Sequence, residues 1–195
     1  MALKEYQDKR KFDQTSEPKG KKKKTDDELI FVIQRHAASR LHYDFRLEMD
    51  GVLKSWAVPK GPSLDPADKR LAMMVEDHPY DYKDFEGRIP EGNYGAGQVE
   101  IWDSGTYEPL EESDLAPDKE MQKELASGSI KILMKGKKLK GEFALVKMKN
   151  AENNAWLLIK HKDKFAKAPY DAEENTAKNS LVTKYLQEKK SPGKK

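Results

Sequence analysis

The chain has 195 residues, of which 36% are hydrophobic and 36% charged, with a formal net charge of +3. It contains no cysteine, which excludes disulfide bonds and thiolate metal ligands. No apolar run approaches the roughly 18 residues that a transmembrane helix needs, and the N-terminus lacks the apolar core of a signal peptide. We therefore expect one globular domain with polar tails, in a soluble cytoplasmic protein.

Residues 1–28 are polar and rich in lysine, and we expect them to form a flexible basic arm. Residues 1–24 contain nine Lys/Arg and four Asp/Glu, a balance of +5, which leaves −2 for the other 171 residues. The run Lys21–Lys24 is typical of segments that contact a polyanion such as nucleic acid. A solvated tail would carry the same charge, so the pattern alone does not decide between the two.

Short β-rich segments follow the arm, separated by turn residues. The predicted strands are 29–33, 41–48, 52–58, 71–75, 97–102, 106–107, 129–134, 141–148 and 155–160. Turns are expected at Met49–Gly51 and at Asp103–Gly105. This spacing predicts a mainly β domain over residues 29–167, either an antiparallel sandwich or a barrel.

Helical patterns are scarce in this sequence. The best candidates are Ser113–Ser127 and Asn179–Lys189. Residues 168–195 are again polar and lysine-rich, and we expect them to form a flexible tail.

Two histidines and one aspartate lie close together near the start of the domain. His42 and Asp44 are i and i+2 on the polar face of the strand predicted at 41–48, which puts their Cα atoms about 7 Å apart on one side. His36 lies six residues before His42, across a short connection that allows the chain to turn back. We predict that His36, His42 and Asp44 hold one ion, such as Mn²⁺, Zn²⁺ or Fe²⁺, with positions left for water and substrate.

Arg46 continues the polar face of the same strand, two residues after Asp44. A guanidinium repels a metal cation unless an anion lies between them, and arginine binds phosphate oxygens in a bidentate manner. The strand is therefore interpreted as two metal ligands followed by a phosphate clamp. A simpler interpretation stays open, in which the strand faces solvent and its charged side chains pair with their neighbours.

Three further features bear on the site. His78 follows the strand predicted at 71–75, and it would either donate a proton to a leaving oxygen, bind phosphate, or be an ordinary turn histidine. Lys60 lies in the rigid segment Val58–Pro62, as a substrate contact or as a solvated lysine. The segment Gly87–Gly97 is rich in glycine but fits no phosphate-binding fingerprint, so we interpret it as a tight structural loop.

Several motifs in fixed order resemble the 3′-phosphoesterase domain of DNA ligase D from bacteria and archaea. The resemblance covers roughly residues 4–165. It rests on Tyr6, Lys9, Arg10, Phe12, Thr15, Glu17 and Pro18, and on Phe31–Glu48, Trp56–Ser63, Val75–Pro79, Phe85–Gly87 and Ile89–Gly95. That domain is usually fused to ligase and polymerase modules, so we expect this chain to be a stand-alone member or an excised domain.

The resemblance implies a small antiparallel β-barrel with few short helices. It also implies an enzyme that uses Mn²⁺, with Zn²⁺ or Co²⁺ as alternatives. Such an enzyme removes a 3′-terminal ribonucleoside from a DNA primer and then hydrolyses the remaining 3′-phosphate to a 3′-hydroxyl. On the matching positions the implied metal ligands are His36, His42 and Asp44, the catalytic residues His42, Arg46, His78 and Tyr82, and the substrate-binding residues Arg10, Glu17, Lys60 and Arg70. Arg10 and Glu17 would bring the arm over the site.

The function that we predict is a metal-dependent phosphoesterase that heals 3′ ends in DNA repair by non-homologous end joining. Its expected substrates are primer–template or duplex DNA ends that carry a 3′-phosphate or a 3′-ribonucleotide. We expect a monomer in the cytoplasm, associated with the nucleoid, without a membrane partner and with ligase, polymerase or end-binding repair proteins as partners.

Two alternatives to an enzyme fit the sequence less well. A barrel that only binds nucleic acid is disfavoured because Tyr43 and Phe45 fall on the presumed core face rather than on an exposed stacking surface. A purely structural metal site is disfavoured because only three ligands can be found, whereas a structural site is usually closed by four.

Overall fold

The computed structural model describes residues 3–20, 28–149 and 154–190, and nine strands run through them. They are β1 (Leu29–Ala37), β2 (Leu41–Met49), β3 (Val52–Val58), β4 (Lys69–Pro79), β5 (Gly87–Ile89), β6 (Gly97–Pro109), β7 (Ser129–Gly136), β8 (Lys140–Lys147) and β9 (Ala155–Lys160). Eight of them close an antiparallel barrel in the order β1-β2-β3-β4-β9-β8-β7-β6, with β6 pairing back to β1. The short β5 pairs with the start of β6. The predicted mainly β barrel is confirmed.

The barrel interior is filled by alternate side chains of its strands. In β2 the predicted alternation is confirmed, because Tyr43, Phe45 and Leu47 are all buried in the main hydrophobic core. Trp56 on β3 and Trp156 on β9 meet edge to face inside the same core, with ring centroids 5.9 Å apart. The opposite side chains of β2 therefore point out of the barrel, and these carry the polar cluster.

Two hairpins bring β1, β2 and β3 side by side. The turn between β2 and β3 is the predicted one, and Asp50 and Gly51 both adopt positive φ, +53° and +72°. Such a two-residue turn matches the twist of the flanking strands. The strand β4 is longer than predicted and includes His78, which pairs with Leu53 of β3 beyond a register shift. The prediction that His78 follows the end of its strand is therefore wrong, because His78 lies within β4 and is part of the barrel wall.

The predicted turn at Asp103–Gly105 is wrong, because β6 continues through it without a break. The carboxylate of Asp103 accepts hydrogen bonds from the backbone N–H groups of residues 137–139, at 2.8–3.1 Å. Gly105 lies where a Cβ would come within 2.3 Å of the Lys135 carbonyl oxygen. The polar and glycine residues that suggested a turn therefore serve close contact with the neighbouring hairpin.

Three short α-helices accompany the barrel: α1 (Lys4–Asp8), α2 (Pro117–Ser127) and α3 (Leu181–Lys190). The helix predicted at Ser113–Ser127 begins later, with Pro117 in its first turn, and ends before Gly128 in the left-handed conformation. The helix predicted at Asn179–Lys189 is confirmed within two residues at each end, whereas α1 had not been predicted. Within the described part of the chain, no helix has the length and apolar character needed to cross a membrane.

Residues 168–190 pack on one end of the barrel, contrary to the expected flexible tail. Arg35 of β1 anchors them with hydrogen bonds to Glu173 at 2.6 and 2.8 Å and to Thr183 at 3.1 Å. It also binds Glu100 of β6 at 3.0 Å. Val182 of α3 is fully buried next to β1. Residues 191–195 lie outside the described residues.

The described part of the N-terminal arm, residues 3–20, also packs against the barrel and so differs from the expected flexible arm. Tyr6 of α1 is fully buried, and its hydroxyl donates to the carbonyl oxygen of Pro18 at 2.7 Å. The side chains of Arg10 and Glu17 are almost fully buried as well. The lysine run at 21–24 falls outside the described residues.

Candidate metal centre

The three predicted metal ligands come together on the outer face of the β1–β2 hairpin. His36 and His42 are directly opposite each other across the two strands. Nδ1 of His36 lies 3.4 Å from Asp44 Oδ2, and Nε2 of His42 lies 3.6 Å from Asp44 Oδ1. One potential ligand atom from each residue lies within 4.8 Å of the others. Among the described residues, this is the group of side chains close enough to share one ion.

Each of the two histidines is oriented by a backbone carbonyl on its remaining ring nitrogen. Nε2 of His36 lies 2.8 Å from the carbonyl oxygen of Gly95, and Nδ1 of His42 lies 3.0 Å from that of Arg40. A carbonyl oxygen only accepts, so both of these nitrogens carry a proton and donate it. The nitrogens that face Asp44 are then the ones available as ligands, which is the arrangement typical of metal-binding histidines.

His36, His42 and Asp44 form one group, hereafter the metal cluster, and the carboxylate of Asp44 supplies its negative charge. Burial raises the pKa of Asp44, but Arg46, His36 and His42 outweigh it and hold the pKa well below its usual range. Burial lowers the pKa of His42, yet the hydrogen bond and charge of Asp44 bring it above its usual value. A metal ion would therefore find an ionised carboxylate and would compete with a proton for His42.

Arg46 is buried beside the cluster, with 2% of the residue exposed. Its guanidinium donates to Gln34 at 2.7 Å, to Ser55 at 2.8 Å and to Asp44 at 3.1 Å. A guanidinium has about five N–H groups, so both terminal nitrogens keep one to offer. This buried setting excludes the simpler interpretation of a solvent-facing strand, and it leaves Arg46 able to bind an anion.

The arm reaches the same place through Arg10. Its Nε donates to Glu17 Oε1 at 2.9 Å, and its Nη1 donates to Glu76 Oε1 at 3.2 Å. Its Nη2 lies 3.1 Å from Nε2 of His78. A buried guanidinium with two carboxylate partners is stable only while all three stay together. The geometry thus brings Arg10 and Glu17 to the site, as the resemblance implied.

His78 is held in a single neutral form. Because a guanidinium cannot accept, Nε2 of His78 accepts from Arg10, and its Nδ1–H donates to the carbonyl oxygen of Glu76 at 2.9 Å. Burial, Arg46 and Arg10 hold the pKa of His78 well below its usual range. In this arrangement His78 fixes the position of the Arg10 guanidinium.

Tyr82 links the arm to Arg46. Its hydroxyl donates to Glu17 Oε1 at 3.0 Å, and the guanidinium carbon of Arg46 lies 4.9 Å from the centroid of its ring. Burial raises the pKa of Tyr82 well above its usual value, so the phenol stays protonated and able to donate.

A cavity of about 270 Å³ joins these groups. The metal cluster, Arg46, His78, Tyr82 and Arg10 all line it. Its volume can hold a phosphate group with a few waters, and two guanidiniums, three imidazoles and two phenols line it beside the carboxylates of Asp44 and Glu76. Such a lining suits an anionic ligand.

Two predicted substrate-binding residues lie elsewhere. Lys60 and Arg70 together line a separate groove of about 290 Å³, and neither of them lines the metal cavity. Arg70 donates to Asp68 at 2.6 Å, and Lys60 is exposed. The structure brings the two residues together but not to the metal cluster, so their role in substrate binding stays a prediction.

Four residues that support the site were not predicted, namely Gln34, Ser55, Glu76 and Gly95. Gln34 could have been found, since it is two residues before His36 on the same strand face and breaks an apolar run. The glycine loop was interpreted as structural, yet its Gly95 carbonyl orients His36, one of the three predicted metal ligands. The contacts of Ser55 and Glu76 depend on strand pairing that the local pattern does not reveal.

The chain is similar to a known family of proteins. Residues 34–147 match the family model described as the DNA ligase D 3′-phosphoesterase domain. The multifunctional non-homologous end joining protein LigD of Pseudomonas aeruginosa is 51% identical over 164 residues, 83% of this chain and 19% of that protein. The corresponding protein of Mycolicibacterium smegmatis is 42% identical over 181 residues, 92% of this chain and 23% of that protein.

A third relative is the multifunctional non-homologous end joining DNA repair protein LigD of Mycobacterium tuberculosis. It is 44% identical over 133 residues, 68% of this chain and 16% of that protein. The chain thus spans about a fifth of the length of the curated relatives it matches. The matched family segment contains all three residues of the metal cluster, together with Arg46, His78 and Tyr82.

Proposed function

The chain belongs to the DNA ligase D 3′-phosphoesterase domain family, and from that premise we propose that it heals 3′ ends of DNA. It hydrolyses a terminal 3′-phosphate to a 3′-hydroxyl, and it removes a terminal ribonucleoside to leave the 3′-phosphate. The observation that carries this proposal is the open group of His36, His42 and Asp44 with Arg46 in the same cavity.

The donor set fits a divalent transition metal. Two imidazole nitrogens and one ionised carboxylate suit Mn²⁺, and also Zn²⁺ or Co²⁺. The carbonyl contacts on the far nitrogens of His36 and His42 present the required lone pairs. When bound, such an ion supplies Lewis acidity at a phosphoryl oxygen and lowers the pKa of a bound water.

The protein's own groups bind and orient the phosphate. Arg46 offers one free N–H from each terminal nitrogen, which matches the bidentate geometry of a phosphate. Arg10 adds a second guanidinium on the arm side of the cavity. These fixed positive charges stabilise the negative charge that develops on the equatorial oxygens during transfer.

The chemistry balances with water as nucleophile. For a 3′-phosphate, a water oxygen bonds to phosphorus, the bond from phosphorus to the 3′ oxygen breaks, and that oxygen takes a proton to become the 3′-hydroxyl. For a terminal ribonucleotide, the water oxygen again bonds to phosphorus, the bond from phosphorus to the 5′ oxygen of the ribonucleoside breaks, and that oxygen takes a proton to become the 5′-hydroxyl of the released ribonucleoside. The neutral His78 acts by holding Arg10, and Tyr82 acts by donating its phenolic hydrogen to Glu17 of the arm.

The substrates proposed are primer–template and duplex ends, handled by a monomer in DNA repair by non-homologous end joining. Ligase, polymerase and end-binding repair proteins are the proposed partners, and the cytoplasm with its nucleoid is the proposed location. The names of the relatives, which describe multifunctional end-joining proteins, support this role.

A primer–template that ends in a 3′-phosphate tests the proposal. We expect phosphate release with Mn²⁺, none with chelator, and a loss of at least roughly 100-fold in a His42→Ala variant. His161→Ala is the matched control. His161 directly follows β9, and it neither lines the cavity nor belongs to the group of predicted metal ligands. If no divalent metal supports phosphate release, the proposal that the chain is a phosphoesterase is wrong. If His42→Ala keeps full activity, the assignment of His42 to the active site is wrong.

A further inference from the structure

A large aromatic side chain stands exposed at the edge of the metal cavity. Tyr94 is 51% exposed, although it lines the cavity together with the metal ligands. Of the large hydrophobic side chains exposed in the described part of the chain, Tyr94 is the one in that position. An exposed aromatic ring beside a polar site is informative, because a ligand that binds there would bury the ring.

The loop that carries Tyr94 is fixed in place. Gly92 and Gly95 flank it with φ of +85° and +74°, and Ala96 donates its backbone N–H to the Asn93 carbonyl oxygen at 3.2 Å. The Gly95 carbonyl accepts from His36 at 2.8 Å. The ring of Tyr94 is therefore one residue away from an anchor of the metal cluster, on a turn of defined shape.

Tyr94 also lines a second groove that adjoins the cavity. This groove has a volume of about 380 Å³, and Val75, Glu76 and Tyr94 line both spaces. Lys9 lies in the groove with its Nζ 4.9 Å from the Tyr94 ring centroid, and Arg10 lies 5.8 Å from it. The two cations attract the electron-rich tyrosine ring. About half of the Tyr94 surface nevertheless stays exposed to solvent.

We propose that Tyr94 is a stacking platform for the nucleobase of the nucleoside that carries the phosphate in the cavity. The inference rests on the proposed function and adds a base-binding subsite to it. A 3′-terminal base is stacked on one side only, so an exposed ring next to the phosphate site offers it a second stacking partner. Stacking of this kind accepts any base, since every base presents a π face.

The subsite is tested with two primer–template substrates that both end in a 3′-phosphate. One has an ordinary terminal nucleotide, and the other has a terminal nucleotide without its base. On the first substrate we expect Tyr94→Leu to raise KM about tenfold with unchanged kcat, which corresponds to about 1.4 kcal/mol and lies within the range for one stacked base. On the substrate without a base, the variant and the wild type should have the same KM.

Two further variants separate stacking from a structural role. Tyr94→Phe keeps the ring and should rescue the KM lost in Tyr94→Leu. Phe165→Leu removes another exposed aromatic, which lines neither space, and should leave both substrates unaffected. A Tyr94→Leu variant with unchanged KM on the first substrate would overturn the subsite. Equal losses on both substrates, or a lower kcat, would instead show that Tyr94 only supports the His36 loop.

The same assay keeps this inference apart from the proposed function. No phosphate release by the wild type from either substrate is a failure of the proposed function. Release by the wild type from both, with identical KM values for wild type and Tyr94→Leu, is a failure of the stacking subsite alone.

Discussion

Nη2 of Arg10 donates a hydrogen bond of 3.1 Å to Nε2 of His78, and this contact joins the N-terminal arm to the wall of the barrel. The two residues are 68 positions apart in the sequence. The contact fixes the tautomer of His78, and it places a second guanidinium in the cavity that holds Arg46. The arm is therefore a wall of the site and more than a charged extension.

Removal of the Arg10 guanidinium should release the arm. Arg10→Met leaves the buried carboxylates of Glu17 and Glu76 without this partner, and breaking such a group costs about 3–5 kcal/mol. We expect faster hydrogen exchange over residues 4–18 and at least a roughly tenfold loss of phosphate release. Lys4→Met removes an exposed cation from the same arm and should change neither. Unchanged exchange in Arg10→Met would show that other contacts hold the arm.

The pH dependence of stability should carry the signature of His78. Its pKa is held well below the usual value in the folded protein by burial, Arg46 and Arg10, whereas the unfolded chain binds a proton below about pH 6.5. The unfolded state then binds more protons, so this contribution is present above about pH 6.5. It is lost progressively as the pH falls toward the lowered folded pKa.

The measurement is the free energy of unfolding in urea at several pH values for wild type and His78→Gln. Glutamine does not titrate, and its amide oxygen offers Arg10 an acceptor. Below about pH 6.5 the wild-type curve should be steeper by up to about 1.4 kcal/mol per pH unit. Parallel curves would mean that His78 takes up a proton in the folded state as readily as in the unfolded chain.

The sequence was sufficient to predict that His36, His42 and Asp44 lie close together, because one physical rule places them. Alternation along a strand puts His42, Asp44 and Arg46 on one side, and a short hairpin puts His36 opposite His42. The same alternation predicted the core side chains of β2. Local rules work for His36, His42, Asp44 and Arg46 because these four residues are also neighbours in the chain.

The depth of the site could not be predicted in the same way. Arg46 is buried because the arm and Tyr82 cover the outer face of the strands, and these segments come from distant parts of the sequence. The tail was misjudged for a similar reason, since its polar residues bind Arg35 at the barrel end. The C-terminal segment is polar but is stabilised by a partner elsewhere in the chain, and the composition of the segment does not reveal that partner.

Arg35 and Glu173 should differ sharply in their contribution to stability, although they form one ion pair. Arg35→Ala leaves Glu100 without its buried partner and detaches the C-terminal segment, so we expect a loss of about 3–5 kcal/mol. Glu173→Ala should cost about 1 kcal/mol or less, because its side chain is 44% exposed and Arg35 keeps Glu100 and Thr183. Urea unfolding at neutral pH measures both, and equal losses would contradict this division.

The last prediction separates backbone strain from metal-site geometry with a pair of glycines in one loop. Gly92 and Gly95 both adopt positive φ, +85° and +74°, so alanine is strained at either position by about 1–2 kcal/mol. At Gly92 an added Cβ meets nothing within 4 Å, whereas at Gly95 it lies 3.5 Å from Cε1 of His36. Of these two glycines, Gly95 is the one whose carbonyl oxygen accepts a hydrogen bond from that ring.

We therefore expect the two variants to lose similar stability and to differ in metal binding. Gly95→Ala should weaken Mn²⁺ binding roughly 10- to 100-fold, as is typical when a partner that orients a ligand is disturbed, and Gly92→Ala should leave it within about twofold of wild type. Titration of free Mn²⁺ against each protein gives the affinity without any assay of activity. Equal affinities in the two variants would show that the carbonyl contact to His36 does not govern the metal site.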